Sequence, residues 1–180
     1  MEEILLQKGY IEKVNKINTG RNLKYYILTM GCQLNENDSE KIMGMVEKMN
    51  YTESKDFLDS DLYIINTCCV RENAEEKVFG KLGELKKIKE GKNILIAIGG
   101  CMMQEKHIQE KIKKSYPFVD IVFGTHTLHK LPEDIYKAIQ KNIKINDVID
   151  IDGKVYEKVP IKRVDKNRAS VTIMYGCNNF

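Results

Sequence analysis

The chain has 180 residues, 42% hydrophobic and 31% charged, with 29 basic against 26 acidic side chains and a net charge of +3. That length supports one domain with a full core, and the mixed charge excludes a disordered polyelectrolyte while neither requiring nor excluding a nucleic-acid partner. No apolar run approaches the ~18–20 residues of a bilayer span, and "MEEILLQKGY" lacks the parts of a secretory signal, so the sequence reads as cytoplasmic with no membrane partner.

In chain order, residues 1–22 carry no strong period and read as an N-terminal extension, with a helix over residues 2–8. Four short apolar runs follow: Tyr25-Tyr26-Ile27-Leu28, Leu62-Tyr63-Ile64-Ile65, Ile94 to Ile98, and Ile121-Val122-Phe123. Continuous, β-branched runs suit strands buried on both faces of a parallel sheet. Between them lie one-sided helical stripes: Ile42, Met45, Val46 and Met49; Ala74, Val78, Leu82, Leu85 and Ile88; Ile108 and Ile112; Leu131, Ile135 and Ile139. Asn37 with Glu40, and Asn73 with Glu76, have capping-box spacing, and Pro132 suits the first turn of the last helix. The alternation predicts an α/β fold: a doubly wound, mostly parallel sheet flanked by helices over residues 23–142. Residues 143–168 read as a charged linker, in which Ile145 to Ile151 could add a strand. Residues 169–180 begin with a fresh strand, Ala169 to Met174.

Five cysteines in a chain of a reducing compartment favour metal or redox roles over disulfides. Cys32, Cys68 and Cys101 each follow a predicted strand and precede a predicted helix, 36 and 33 residues apart. Open α/β sheets bind ligands at the carboxyl ends of their strands, so three distant thiols would meet on one edge. Three thiolates suit an iron–sulfur cluster with one iron left open. Gly31 and Gly99-Gly100 would let the backbone approach it, and helix N termini would favour its negative charge. The alternative for each cysteine is a small buried hydrophobe, and Cys69 reads as structural or as a substitute ligand.

The stretches "GCQLNENDSE", "NTCCVRENAEEKVFGKLG", "GGCMMQ" and "GTHTLHKLPE" together resemble the N-terminal domain of the methylthiotransferases, a family of radical S-adenosylmethionine enzymes. The similarity spans roughly residues 24–180. It implies that Cys32, Cys68 and Cys101 ligate an auxiliary 4Fe–4S cluster. In "MYGCNNF", Cys177 matches the first cysteine of the family's Cys-x3-Cys-x2-Cys motif, which would hold a second, radical 4Fe–4S cluster. The chain would then be part of a longer enzyme, inactive alone. The Arg71-Glu72-Asn73-Ala74 stretch resembles the tRNA-modifying branch. That resemblance implies methylthiolation at carbon 2 of N6-isopentenyl-adenosine beside the anticodon, with S-adenosylmethionine, a sulfur donor and tRNA as cofactor and partners, in a monomer. A threonylcarbamoyl-adenosine methylthiotransferase is the nearest rival.

Other residues have quieter readings. Gln33, Asn35 and Asn37 could hydrogen-bond a cluster or cosubstrate, though capping and turn formation suit them better. Arg71 and Glu72 could reach cluster or RNA, or form a solvated first-turn pair. His107, His126 and His129 lack ligand spacing, and the last two read as polar loop positions. The runs "KKIKEGK", "KIKK" and "KVPIKR" could meet phosphates but are interspersed with acids, as solvated faces are. The eight methionines read as core filler. Two other classes stay open: a non-catalytic α/β module with structural cysteines, and a thiol redox protein using Cys68 and Cys69.

Overall fold

The structure is a computed structural model and describes residues 2–68, 74–148, 159–165, 167 and 169. Among these residues, six strands form one sheet: β1 (Lys24–Met30), β2 (Thr52–Glu53), β3 (Leu62–Thr67), β4 (Leu95–Gly100), β5 (Ile121–Phe123) and β6 (Ile145–Asp147). Their order is β2-β1-β3-β4-β5-β6, and every pairing is parallel. Five helices connect and cover them: α1 (Glu2–Asn18), α2 (Gln33–Lys48), α3 (Ala74–Gly91), α4 (Lys106–Ser115) and α5 (Leu131–Lys141).

The strands alternate their side chains between two apolar layers, which explains the continuous hydrophobic runs. Leu62, Ile64, Ala97, Ile121 and Phe123 face α1, α2 and α5, meeting Val14, Ile42, Val46, Leu131 and Ile135. Tyr63, Ile65, Ile96, Ile98 and Val122 face α3 and α4, meeting Val78, Leu82, Leu85, Ile108 and Ile112. Each fully buried aliphatic side chain contributes roughly 1.5–3 kcal/mol. Five methionines, Met43, Met45, Met49, Met102 and Met103, are buried in these layers, as filler residues should be.

The first helix is longer than the predicted 2–8 and packs on α5 and α2. Its buried stripe is Gln7, Ile11, Val14 and Asn18, half of it polar, so a hydrophobicity pattern does not show it. The polar members are bonded: Gln7 Nε2 donates to Glu133 Oε2 at 3.2 Å, and Asn18 Nδ2 to the Met49 carbonyl at 2.8 Å. β2 was also not foreseen; it is two exposed residues at the sheet edge. Asn37 does not cap a helix. It lies inside α2 and is buried, because the helix starts at Gln33 with Cys32 as its cap.

Two parts of the segment read as a linker lie among the described residues. Ile145–Asp147 pairs with β5. Farther on, residues 160–164 lie across α2. The Cβ that Gly44 lacks would stand 2.6 Å from the Pro160 carbonyl and from the Ile161 nitrogen. The Lys162 amide donates to the Glu40 carbonyl at 2.9 Å, and its Nζ pairs with Glu47 and Glu53. Arg163 pairs with Glu40 at 2.6 Å. The expected strand Ala169 to Met174 and the expected cap at Asn73 lie outside the described residues, apart from Ala169 itself.

Candidate metal centre

Strand order reverses between β1 and β3, because β2 was laid on one side of β1 and β3 on the other. That reversal opens the crevice where doubly wound sheets hold ligands. Met30, Thr67 and Gly100 lie abreast at the carboxyl ends of β1, β3 and β4. Cys32 follows Met30 by two residues; Cys68 and Cys101 directly follow Thr67 and Gly100. The three thiols therefore share one edge, and Cys32 and Cys68 flank the reversal. Cys32 is exposed, Cys101 half-buried and Cys68 only 2% exposed.

Each thiol is placed by its turn. Cys32 caps α2, where unpaired amides favour negative charge. Cys101 opens a short 3-10 turn, Cys101–Gln104, ahead of α4 rather than a full α-helix. The Thr125 hydroxyl donates to Cys101 Sγ at 3.8 Å. Beneath the edge runs a buried polar cluster that sequence reasoning did not assemble. Asn35 Oδ1 accepts from the Cys32 amide at 3.1 Å and from Cys32 Sγ at 3.4 Å. Asn35 Nδ2 donates to the Thr67 carbonyl at 3.0 Å and to Asn66 Oδ1 at 3.3 Å. Asn66 Nδ2 donates to the Asn35 carbonyl at 2.8 Å and to Ser39 Oγ at 3.0 Å. The contacts between α2 and β3 span 27 to 32 residues of chain, and no local signal points to them.

The glycines make room for protein atoms. A Cβ on Gly31 would stand 2.0 Å from Asn35 Oδ1, one on Gly99 would meet the Phe123 ring, and one on Gly100 would stand 2.2 Å from the Thr67 carbonyl. Asp38, on the same stretch of α2, is buried and salt-bridged to Lys41 at 3.0 Å; burial pushes its carboxyl above the ordinary range, and Lys41 opposes that rise.

His107 is exposed on α4 beside Glu75 and Glu105. His126 and His129 lie on a 3-10 helix, Thr125–Lys130, and His129 is buried, not at a polar loop position. Burial lowers the His129 pKa. Cys69, Arg71, Glu72 and Cys177 lie outside the described residues.

Soft thiolate donors from three adjacent strand ends match what an iron–sulfur cluster takes, and the Cys101 sulfur already accepts a hydrogen bond from Thr125. In donor chemistry the edge fits such a group. Among the described residues, no three His, Cys, Asp or Glu side chains stand close enough together to hold a metal ion.

The model of the uncharacterized protein family UPF0004 matches residues 24–124. The chain belongs to this family. The UPF0004 match runs from β1 to the residue after β5 and includes Cys32, Cys68 and Cys101. A tRNA-2-methylthio-N(6)-dimethylallyladenosine synthase of Acetivibrio thermocellus is 48% identical over 186 residues, covering 99% of this chain and 39% of the relative. Proteins of the same name from Clostridium tetani and a Thermoanaerobacter species are 49% and 42% identical, covering 93% and 99% of this chain and 38% of each relative. The chain thus spans about two fifths of the length of these curated relatives. Among the described residues, no helix is long and apolar enough to cross a membrane.

Proposed function

We propose that this chain is the auxiliary-cluster domain of a cytoplasmic tRNA methylthiotransferase that adds a methylthio group to carbon 2 of N6-isopentenyl-adenosine beside the anticodon. One observation carries the reading: three cysteines follow, within two residues, three adjacent parallel strands whose ends are level, two of them flanking the point where strand order reverses. Identity of 42% to 49% to synthases of that named activity supports the substrate, and favours it over a threonylcarbamoyl-adenosine.

Cys32, Cys68 and Cys101 hold a 4Fe–4S cluster in this reading. Such a group would supply sulfur, and a second cluster with S-adenosylmethionine the radical, that an unactivated aromatic C–H requires. The chain's own part is positional. Parallel pairing brings the three thiols to one edge, the α2 N terminus favours negative charge at Cys32, and the Thr125 hydroxyl donates to the Cys101 sulfur. Cys177 is assigned as the first ligand of a second 4Fe–4S cluster. tRNA and a sulfur donor are the partners of the monomeric enzyme.

The test is anaerobic reconstitution with iron and sulfide, comparing the native chain with a variant in which Cys32, Cys68 and Cys101 are all alanine. We expect about four iron and four sulfide per native chain and none in the variant. A second reading, a module with structural cysteines, draws on the near-complete burial of Cys68. It predicts near-zero loading of both in this chain, and equal loading of the native and variant forms of the full-length enzyme.

A further inference from the structure

Two polar side chains are buried under the cysteine edge as a pair, Asn35 and Asn66, each 1% exposed. Asn35 sits in the first turn of α2, a place where a simple cap would need only an acceptor. Its acceptor does serve that purpose, taking the Cys32 amide. Its donor does something else: it crosses to the end of β3 and holds the carbonyl of Thr67, the residue just before Cys68. Asn66 returns the bond from β3 to the Asn35 backbone, and also holds Ser39 one turn along α2. The space is kept free on both sides. Side chains at Gly31 and Gly100 would collide with Asn35 Oδ1 and the Thr67 carbonyl, the two ends of the bridge.

We propose that Asn35 is a positioning residue that ties the turn of Cys32 to the end of β3 and so fixes Cys32 against Cys68. Only a side chain that accepts and donates at once can do both, which selects an amide and excludes a carboxylate. Aspartate would still accept from the Cys32 amide but would face the Thr67 carbonyl and Asn66 Oδ1 with no proton to offer. The inference rests on the proposed function only where it concerns a cluster; the bridge itself is a property of the iron-free chain.

The experiment reads the bridge first. In a Cys69→Ser background, the iron-free chain is treated with iodoacetamide under native conditions, and labelling of Cys32, Cys68 and Cys101 is quantified by mass spectrometry. Asn35→Asp is compared with Leu85→Ala, a core truncation in α3 that lowers stability without touching the bridge. We expect Asn35→Asp to raise the Cys68-to-Cys101 labelling ratio about tenfold, and Leu85→Ala to leave it within about twofold, because unfolding exposes both alike. The same ratio in both variants overturns the proposal. Iron counts then address the cluster: Asn35→Asp loading less than half of the native iron supports positioning of ligands, and loading equal to native overturns it. A native chain that takes no iron defeats the cluster reading, while the labelling ratio still decides the bridge.

Discussion

Gly100 is the residue at which one added methyl group would do most harm. Its φ of 100° and ψ of −171° lie in a region open essentially to glycine alone, and the missing Cβ would overlap the Thr67 carbonyl. Gly100→Ala is expected to cost about 3 kcal/mol, read as a lowered urea midpoint with unchanged slope. The residue scale is also where the sequence was least informative. That Cys32, Cys68 and Cys101 follow strands could be read from apolar runs ending beside them, because strand and turn are local. That Asn35 meets Thr67 could not, because the partners are 32 residues apart and neither belongs to an apolar pattern. The glycines beside the cysteines were legible as places of close approach. What approaches them is protein: Asn35, Phe123 and the backbone of Thr67.

At the scale of elements, the hidden parts are those with little hydrophobic content. β2 has two exposed residues and no core to bury, so nothing in the pattern marks it. The buried line of α1 mixes Gln7 and Asn18 with Ile11 and Val14 and relies on directed hydrogen bonds to Glu133 and Met49. By contrast, α5 is legible from Leu131, Ile135 and Ile139, yet it conceals a charge. Asp134 is 2% exposed, and burial, reinforced by Asp147, pushes its pKa up to about 7 against the attraction of Lys137 and Lys130. A raised carboxyl pKa means that the folded chain holds a proton the unfolded chain has released. Stability from this group is therefore fullest below about pH 4 and is lost as pH rises through 7, by up to roughly 4 kcal/mol. Asp134→Asn should flatten that slope, leaving the variant more stable than native at pH 8 and similar at pH 4, as measured by urea unfolding at both.

The whole molecule was the most legible level, since alternating buried strands and one-sided helices admit few arrangements, and a parallel doubly wound sheet is the one found. What chain order alone does not give is how residues 160–164 run. Their grip on α2 depends on Gly44, whose missing side chain lets two backbones touch, and on Glu40, Glu47 and Glu53. Gly44→Ala should lift this strap. Amide exchange at Lys162, whose N–H is held by Glu40, would then quicken about tenfold or more while core strands such as β3 keep their protection. Unchanged exchange at Lys162 would show that the contact tolerates the methyl group.

The strap also has a mechanical consequence. Tension applied beyond residue 165 is delivered sideways onto the middle of α2, the helix whose first residue adjoins Cys32. Three carboxylates on or near that helix hold the strap there through Lys162 and Arg163. A displacement of whatever chain follows would thus reach the cysteine edge as a tilt of a rigid rod, with the Asn35 bridge as its fulcrum.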